Sequence, residues 1–176
     1  MRRSAVLFMI ALVVLGLSAP LHAGLIGSTV SAKLYYPNLS TVFSSAGPTT
    51  VSGSVEFPAG TLAASGGVDV TDTQVIWTAA FSVTYGSGAY NGIVLTFSGA
   101  PVITNVTVNG STTINPVSTG FSSNTVMFDL AGRSVLTGQK TILDVQTGAA
   151  AVPEPATGLL SGVLAILGVA VRRRRR

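Results

Sequence analysis

Short runs of alternating apolar and polar residues, separated by turn signals, fill the chain from Thr29 to Val145. This two-residue period is the pattern of half-buried β-strands. Thr29 to Tyr35 alternates around Val30, Ala32 and Leu34, and Pro37-Asn38 ends the run. Gly47-Pro48 reads as a turn ahead of a strand from Thr50 to Phe57, in which Val51, Val55 and Phe57 recur; Pro58-Ala59-Gly60 breaks it. Val68-Asp69-Val70 is a short strand. The longest run is Gln74 to Tyr85. It sets Val75, Trp77, Ala79, Phe81, Val83 and Tyr85 on one side, opposite Ile76, Thr78, Ala80, Ser82 and Thr84. The first set is wholly apolar and is predicted to face the core. Gly92 to Phe97, Ile103 to Val108, Thr125 to Leu130 and Thr141 to Val145 follow. Asn109-Gly110 is the strongest tight-turn dipeptide, with Thr112 to Ile114 as the expected returning hairpin strand. Nothing in this middle region holds a 3.6-residue apolar period over three turns. About eight or nine short strands at this spacing predict an all-β fold, a single antiparallel β-sandwich of jelly-roll-like type over residues 24–146.

The two ends follow another pattern. Arg2 and Arg3 precede a continuous apolar run from Ala5 to Leu17, and Leu21-His22-Ala23 places a small residue before Gly24. That is a secretory signal peptide, residues 1–23, to be cut between Ala23 and Gly24 by signal peptidase after export by the Sec machinery. At the other end Ala156 to Val171 is free of charge and runs into Arg172, Arg173, Arg174, Arg175 and Arg176. As a helix it would reach about 24 Å, short of the roughly 30 Å hydrocarbon core. Local thinning and snorkelling of the flanking arginines can close such a gap. The arginines mark a cytoplasmic stop. Helices are therefore expected only at the ends: a signal helix and a C-terminal transmembrane helix. The small-residue stretch 147–151 is read as a linker.

The charge balance changes once the ends are set aside. The whole chain carries a formal +4 and a pI near 10.0. Between Gly24 and Ala151 the only charges are Lys33, Arg133 and Lys140 against Glu56, Asp69, Asp72, Asp129 and Asp144, a net of −2. No basic patch with interleaved aromatics is left to hold nucleic acid. There is no cysteine, and the single histidine, His22, lies within the signal segment. Thiol nucleophiles, thiolate zinc sites, disulfides and histidine bases are thereby excluded from the exported domain. No cofactor is expected.

The tail carries a resemblance. Val152-Pro153-Glu154-Pro155, a short glycine-containing apolar span and a terminal arginine cluster stand in the order of the PEP-CTERM sorting signal, which residues 152–176 resemble. The resemblance implies that Pro153, Glu154 and Pro155 are the recognition motif of exosortase, a membrane-embedded transpeptidase-like enzyme. It also implies a Gram-negative, exopolysaccharide-making cell. There the protein would be held at the inner membrane by its C-terminal span, cut at the motif, and passed to the cell surface or biofilm matrix. Two prolines fit that role, because they keep the segment extended at the membrane face. Glu154 to Gly158 also partly matches the Leu-Pro-x-Thr-Gly wall-sorting signal, but Glu154 stands where that signal has leucine. A glycolipid-anchor signal would not end in five arginines. An uncleaved single-pass anchor would show the same charge pattern.

Candidate chemistry in the domain is sparse. Carboxylate-pair catalysis would need two of the five acids to converge. Asp69 and Asp72 are the one local pair; they suit an Asp-capped turn, with weak calcium binding as the alternative. Trp77 falls on the apolar register and is assigned to the core, whereas Tyr90, between Gly88 and Asn91, is the aromatic expected to be exposed for stacking on sugar. Asn38, Asn105 and Asn109 each begin an Asn-x-Ser/Thr triplet, read as incidental in a bacterium. The expectation is a non-enzymatic exported surface or matrix protein. The alternatives are a carbohydrate-binding module for exopolysaccharide and an unprocessed single-pass membrane protein.

Overall fold

The structure, a computed structural model, describes residues 24–62 and 65–148. The signal segment with Ala23, the linker residues 149–151, the sorting motif, the apolar span and the arginine run lie outside the described residues. Among the described residues there is no helix, and so none long and apolar enough to cross a membrane.

The chain forms antiparallel sheets throughout. One holds β1 (Thr29–Tyr35), β2 (Val42–Thr50), β6 (Gly92–Ser98), β8 (Ser118–Phe121) and β9 (Thr125–Asp129) in the order β2-β1-β6-β9-β8. The other holds β3 (Gly66–Val70), β4 (Gln74–Ala79), β7 (Ile103–Val108) and β11 (Lys140–Thr147) in the order β3-β4-β11-β7. A short ribbon pairs β5 (Val83–Thr84) with β10 (Ser134–Val135). Both large sheets contribute to one core: Val30, Ala32, Leu95, Phe97, Val126 and Phe128 from the first, and Val68, Val70, Val75, Trp77, Leu143 and Val145 from the second. The arrangement fits the expected sandwich. The alternation does the work, since each of these strands buries every second residue, as in iBiBiB along β4. Trp77 is fully buried and meets Tyr85 edge-on, ring centroids 6.1 Å apart at 74°. Its indole Nε1 has no hydrogen-bond partner among the described residues.

Several expectations are corrected. Gly47-Pro48 is not a turn; it sits inside β2, at a register shift where Val30 pairs with Thr49 and Ala32 with Ala46. The extra residue is absorbed by Gly47 at φ 92°, and a Cβ there would lie 2.9 Å from the Val30 carbonyl oxygen. Pro48 is tolerated because β2 is an edge strand. The expected strand from Thr50 to Phe57 is consequently not one: Thr50 ends β2, paired with Thr29, and the chain then loops from one sheet to the other. Phe57 makes a bridge to Val68, and Val55 is half exposed.

The long run from Gln74 breaks after Ala79. β11 begins at Lys140, so the ladder offers no partner further on. The chain leaves the sheet and re-pairs as β5, which turns Phe81 out to 54% exposure instead of into the core. Asn109-Gly110 does turn the chain, Thr112 N–H donating to Asn109 C=O, but not into a hairpin. Asn109 and Thr113 N–H donate to Ile142 and Lys140 C=O, so both sides of the turn line the same strand, β11. β8, whose Ser-Thr-Gly-Phe has no apolar alternation to mark it as a strand, is the edge strand beside β9.

Strand directions give the sandwich two distinct poles. The residues before β1 and the end of β11 meet at one of them. There Leu25 N–H donates to Asp72 C=O, Val145 N–H to Thr73 C=O and Gly148 N–H to Val102 C=O. The opposite pole carries the ends of β1 and β4, the starts of β2, β3 and β6, and the β5–β10 ribbon.

Candidate functional site

The carboxylates serve the fold. Asp129, buried, accepts from Asn91 N–H (2.8 Å) and Ala131 N–H (2.9 Å) and fixes the start of β6 against the end of β9. Glu56 accepts from Ser52 N–H (2.8 Å) and Val70 N–H (2.7 Å), pinning the loop that crosses between sheets. Asp144 is held on the outer face of β11 by the amides of Gln74 (2.7 Å) and Asn109 (2.8 and 2.9 Å). Asp72 is exposed, with Oδ1 3.4 Å from Ile26 N. The turn after β3 is capped by the Thr71 hydroxyl, which accepts from Thr73 and Gln74 N–H, and not by an aspartate. Asp69 lies on the outward register of β3, paired with Ile76, and lines a hollow beneath Pro58 and Ala59. Among the described residues no three acidic or histidine side chains gather in a way that could hold a metal ion.

Tyr90 is not the exposed aromatic it was expected to be. It is 6% exposed, and its hydroxyl is directed at the carbonyls of Phe128 (2.9 Å) and Ile93 (3.1 Å). Burial, reinforced by the nearby negative charge of Asp129, pushes its pKa well above the ordinary tyrosine value. The residues around it mislead because Gly88 and Asn91 look like loop, yet Asn91 is itself buried and donates its side-chain amide to Gly86 C=O (2.9 Å).

Among the described residues the most exposed phenylalanines are Phe43 (62%) and Phe81 (54%), ahead of Phe121 (43%); Phe43 lies in a stretch to which the sequence pattern assigns no element, and Phe81 in one it turns toward the core. They line a half-open cleft of about 350 Å³ at the pole away from the chain ends. Leu34 and Tyr36 from the end of β1 and Val83 from β5 form the rest of its apolar lining, with Tyr85 at the core side. Its polar groups come from Ser65, Thr84 and Asn91, and no charged side chain lines it. The Tyr85 hydroxyl pairs with Ser65 Oγ at 2.8 Å. Burial raises the pKa of Tyr85, partly offset by its hydrogen bonds to Ser65. The cleft fills about the volume of a small-ligand site, and its lining of apolar walls with a few hydroxyls is the usual make-up of one. No local signal could have found it, because its residues come together only through the ending of β4 and the start of β2.

Comparison with known proteins bears on the tail. Residues 151–176 match the family model of the PEP-CTERM protein-sorting motif, so the chain carries a PEP-CTERM sorting domain. Such a motif marks an exported protein handled at the membrane by exosortase. No curated protein and no solved structure gives a significant match to the chain.

Proposed function

We propose that the protein is a non-enzymatic component of the cell surface or extracellular matrix, exported through its signal segment and processed by exosortase at Pro153-Glu154-Pro155. The observation that carries this reading is the sorting motif at residues 151–176, directly after a domain whose last described residue is Gly148. The domain's bonding supports the non-enzymatic part: Glu56, Asp129 and Asp144 are each engaged by backbone or amide donors, and the exported chain has no histidine or cysteine. Ser52 Oγ does lie 3.4 Å from Glu56 Oε1, but that carboxylate is already taken up by two backbone amides, which leaves it a poor base for acyl or glycosyl transfer.

Terminal-peptide mass spectrometry of the protein extracted from the surface of its host tests the reading. The expected result is an N-terminus at Gly24 and a C-terminus at or near the Pro153–Pro155 motif. Surface protein that keeps Arg172 to Arg176 would instead establish the unprocessed single-pass anchor.

A second reading concerns the delivered domain, as a carbohydrate-binding module. It is favoured by the cleft that exposes Phe43 and Phe81 together at one pole.

A further inference from the structure

We propose that the cleft lined by Phe43, Phe81 and Tyr36 is a subsite for one neutral pyranose ring of a glycan. The inference rests on the carbohydrate-binding reading and gives it a place and a ligand class.

Two observations carry it. The first is ring exposure. Phe43 and Phe81 keep most of their surface in solvent although both border a cleft, an arrangement that costs hydrophobic stabilisation unless a ligand covers them. The C–H face of a pyranose is an apolar surface edged by hydroxyls, and it suits such rings. The second is polarity without charge. Every residue that lines the cleft is neutral, so an ionised uronate or phosphate would find no counter-charge there. Hydroxyl partners are nonetheless to hand. In the Ser65–Tyr85 pair one hydroxyl donates to the other, so among the described residues the second hydrogen has no acceptor, and the Thr84–Ser134 pair (2.9 Å) is built the same way. A purely greasy ligand would not need these groups.

The test uses the full chain in detergent, titrated calorimetrically with maltohexaose, cellohexaose and, as a charged counterpart, hexagalacturonate. The proposal expects at least one neutral oligosaccharide to bind. Phe43→Ala and Phe81→Ala should each weaken binding about five- to tenfold, the worth of one ring contact. Phe121→Ala, an exposed phenylalanine of β8 away from the cleft, should leave it unchanged. Both cleft phenylalanines are more than half exposed, so their removal leaves the fold intact. Circular dichroism of each variant checks that point. If neither neutral glycan binds, the site and the carbohydrate-binding reading both fall. If one binds with undiminished affinity to Phe43→Ala and Phe81→Ala, the site falls and the reading stands. Preference for hexagalacturonate overturns the neutral class.

Discussion

The two poles of the sandwich are closed by clasps of different burial. Both use main-chain bonds: Gly27 N–H to Val51 C=O (2.9 Å), Val51 N–H to Ser28 C=O (2.8 Å) and Gly148 N–H to Val102 C=O (2.7 Å) at the tethered pole, where Gly148 leaves the fold, and Tyr90 N–H to Pro37 C=O (3.0 Å) and Leu130 N–H to Asn91 C=O (2.9 Å) at the cleft pole. Side chains are added at both. At the tethered pole Glu56, on Ser52 and Val70, is half-buried and Asp72 is exposed. At the cleft pole Asp129, on Asn91 and Ala131, and Tyr90, on Phe128, are buried. A carboxylate or phenol clasp shielded from water loses more on substitution than one that water can replace. The difference teaches that the cleft pole depends more on its particular side chains. Its exposed phenylalanines stand on a frame that includes buried polar groups.

Substitutions can break or sharpen that contrast. The largest effect should come from between the poles. Trp77→Ala empties the centre of β4 and should cost about 3–5 kcal/mol, seen as one cooperative loss of structure in urea, because both poles hang on the same core. Next, Asp129→Ala strips one buried and one half-buried backbone amide of their acceptor and should cost about 3 kcal/mol. Its counterpart at the tethered pole, Glu56→Gln, keeps a carbonyl acceptor in a half-buried site and should cost about 1 kcal/mol in the same measurement. Equal costs would dissolve the distinction between the poles.

A pH series gives a smaller, signed effect. Tyr85 and Tyr90 both have pKa values raised in the folded state, so each favours folding fully below the unfolded tyrosine value of about 10. Above that pH the unfolded chain ionises first, and this stability is lost as pH rises toward the folded values. Melting temperature should therefore fall above about pH 10, and Tyr90→Phe should flatten the fall while costing about 1 kcal/mol at neutral pH through the lost hydroxyl. The smallest effect is expected at the exposed rings: Phe81→Ala should move stability by no more than about 0.5 kcal/mol.

Parts of this molecule were readable from local pattern and parts were not. β1, β3, β6, β9 and β11 follow from alternation, because burial on one face imposes a period of two whatever the neighbours are. The errors share a cause. Phe81 has the right register for the core but lies beyond the point where β11 supplies a partner. Gly47-Pro48 has the composition of a turn but absorbs a bulge on an edge strand. Tyr90 has a loop-like setting, yet the carbonyls of Phe128 and Ile93 receive its hydroxyl. In each case a residue distant in the chain decided the outcome.

The sequence by itself determined the all-β class, the burial of Trp77 and the sorting motif. Alternation, side-chain volume and a linear recognition signal are all local properties. Tertiary structure alone decided which aromatics are exposed, which carboxylates become clasps, and that the cleft opens at the pole opposite the tail. Those depend on where strands end and which strands lie beside them, and sheet order is set by contacts between segments far apart in the chain.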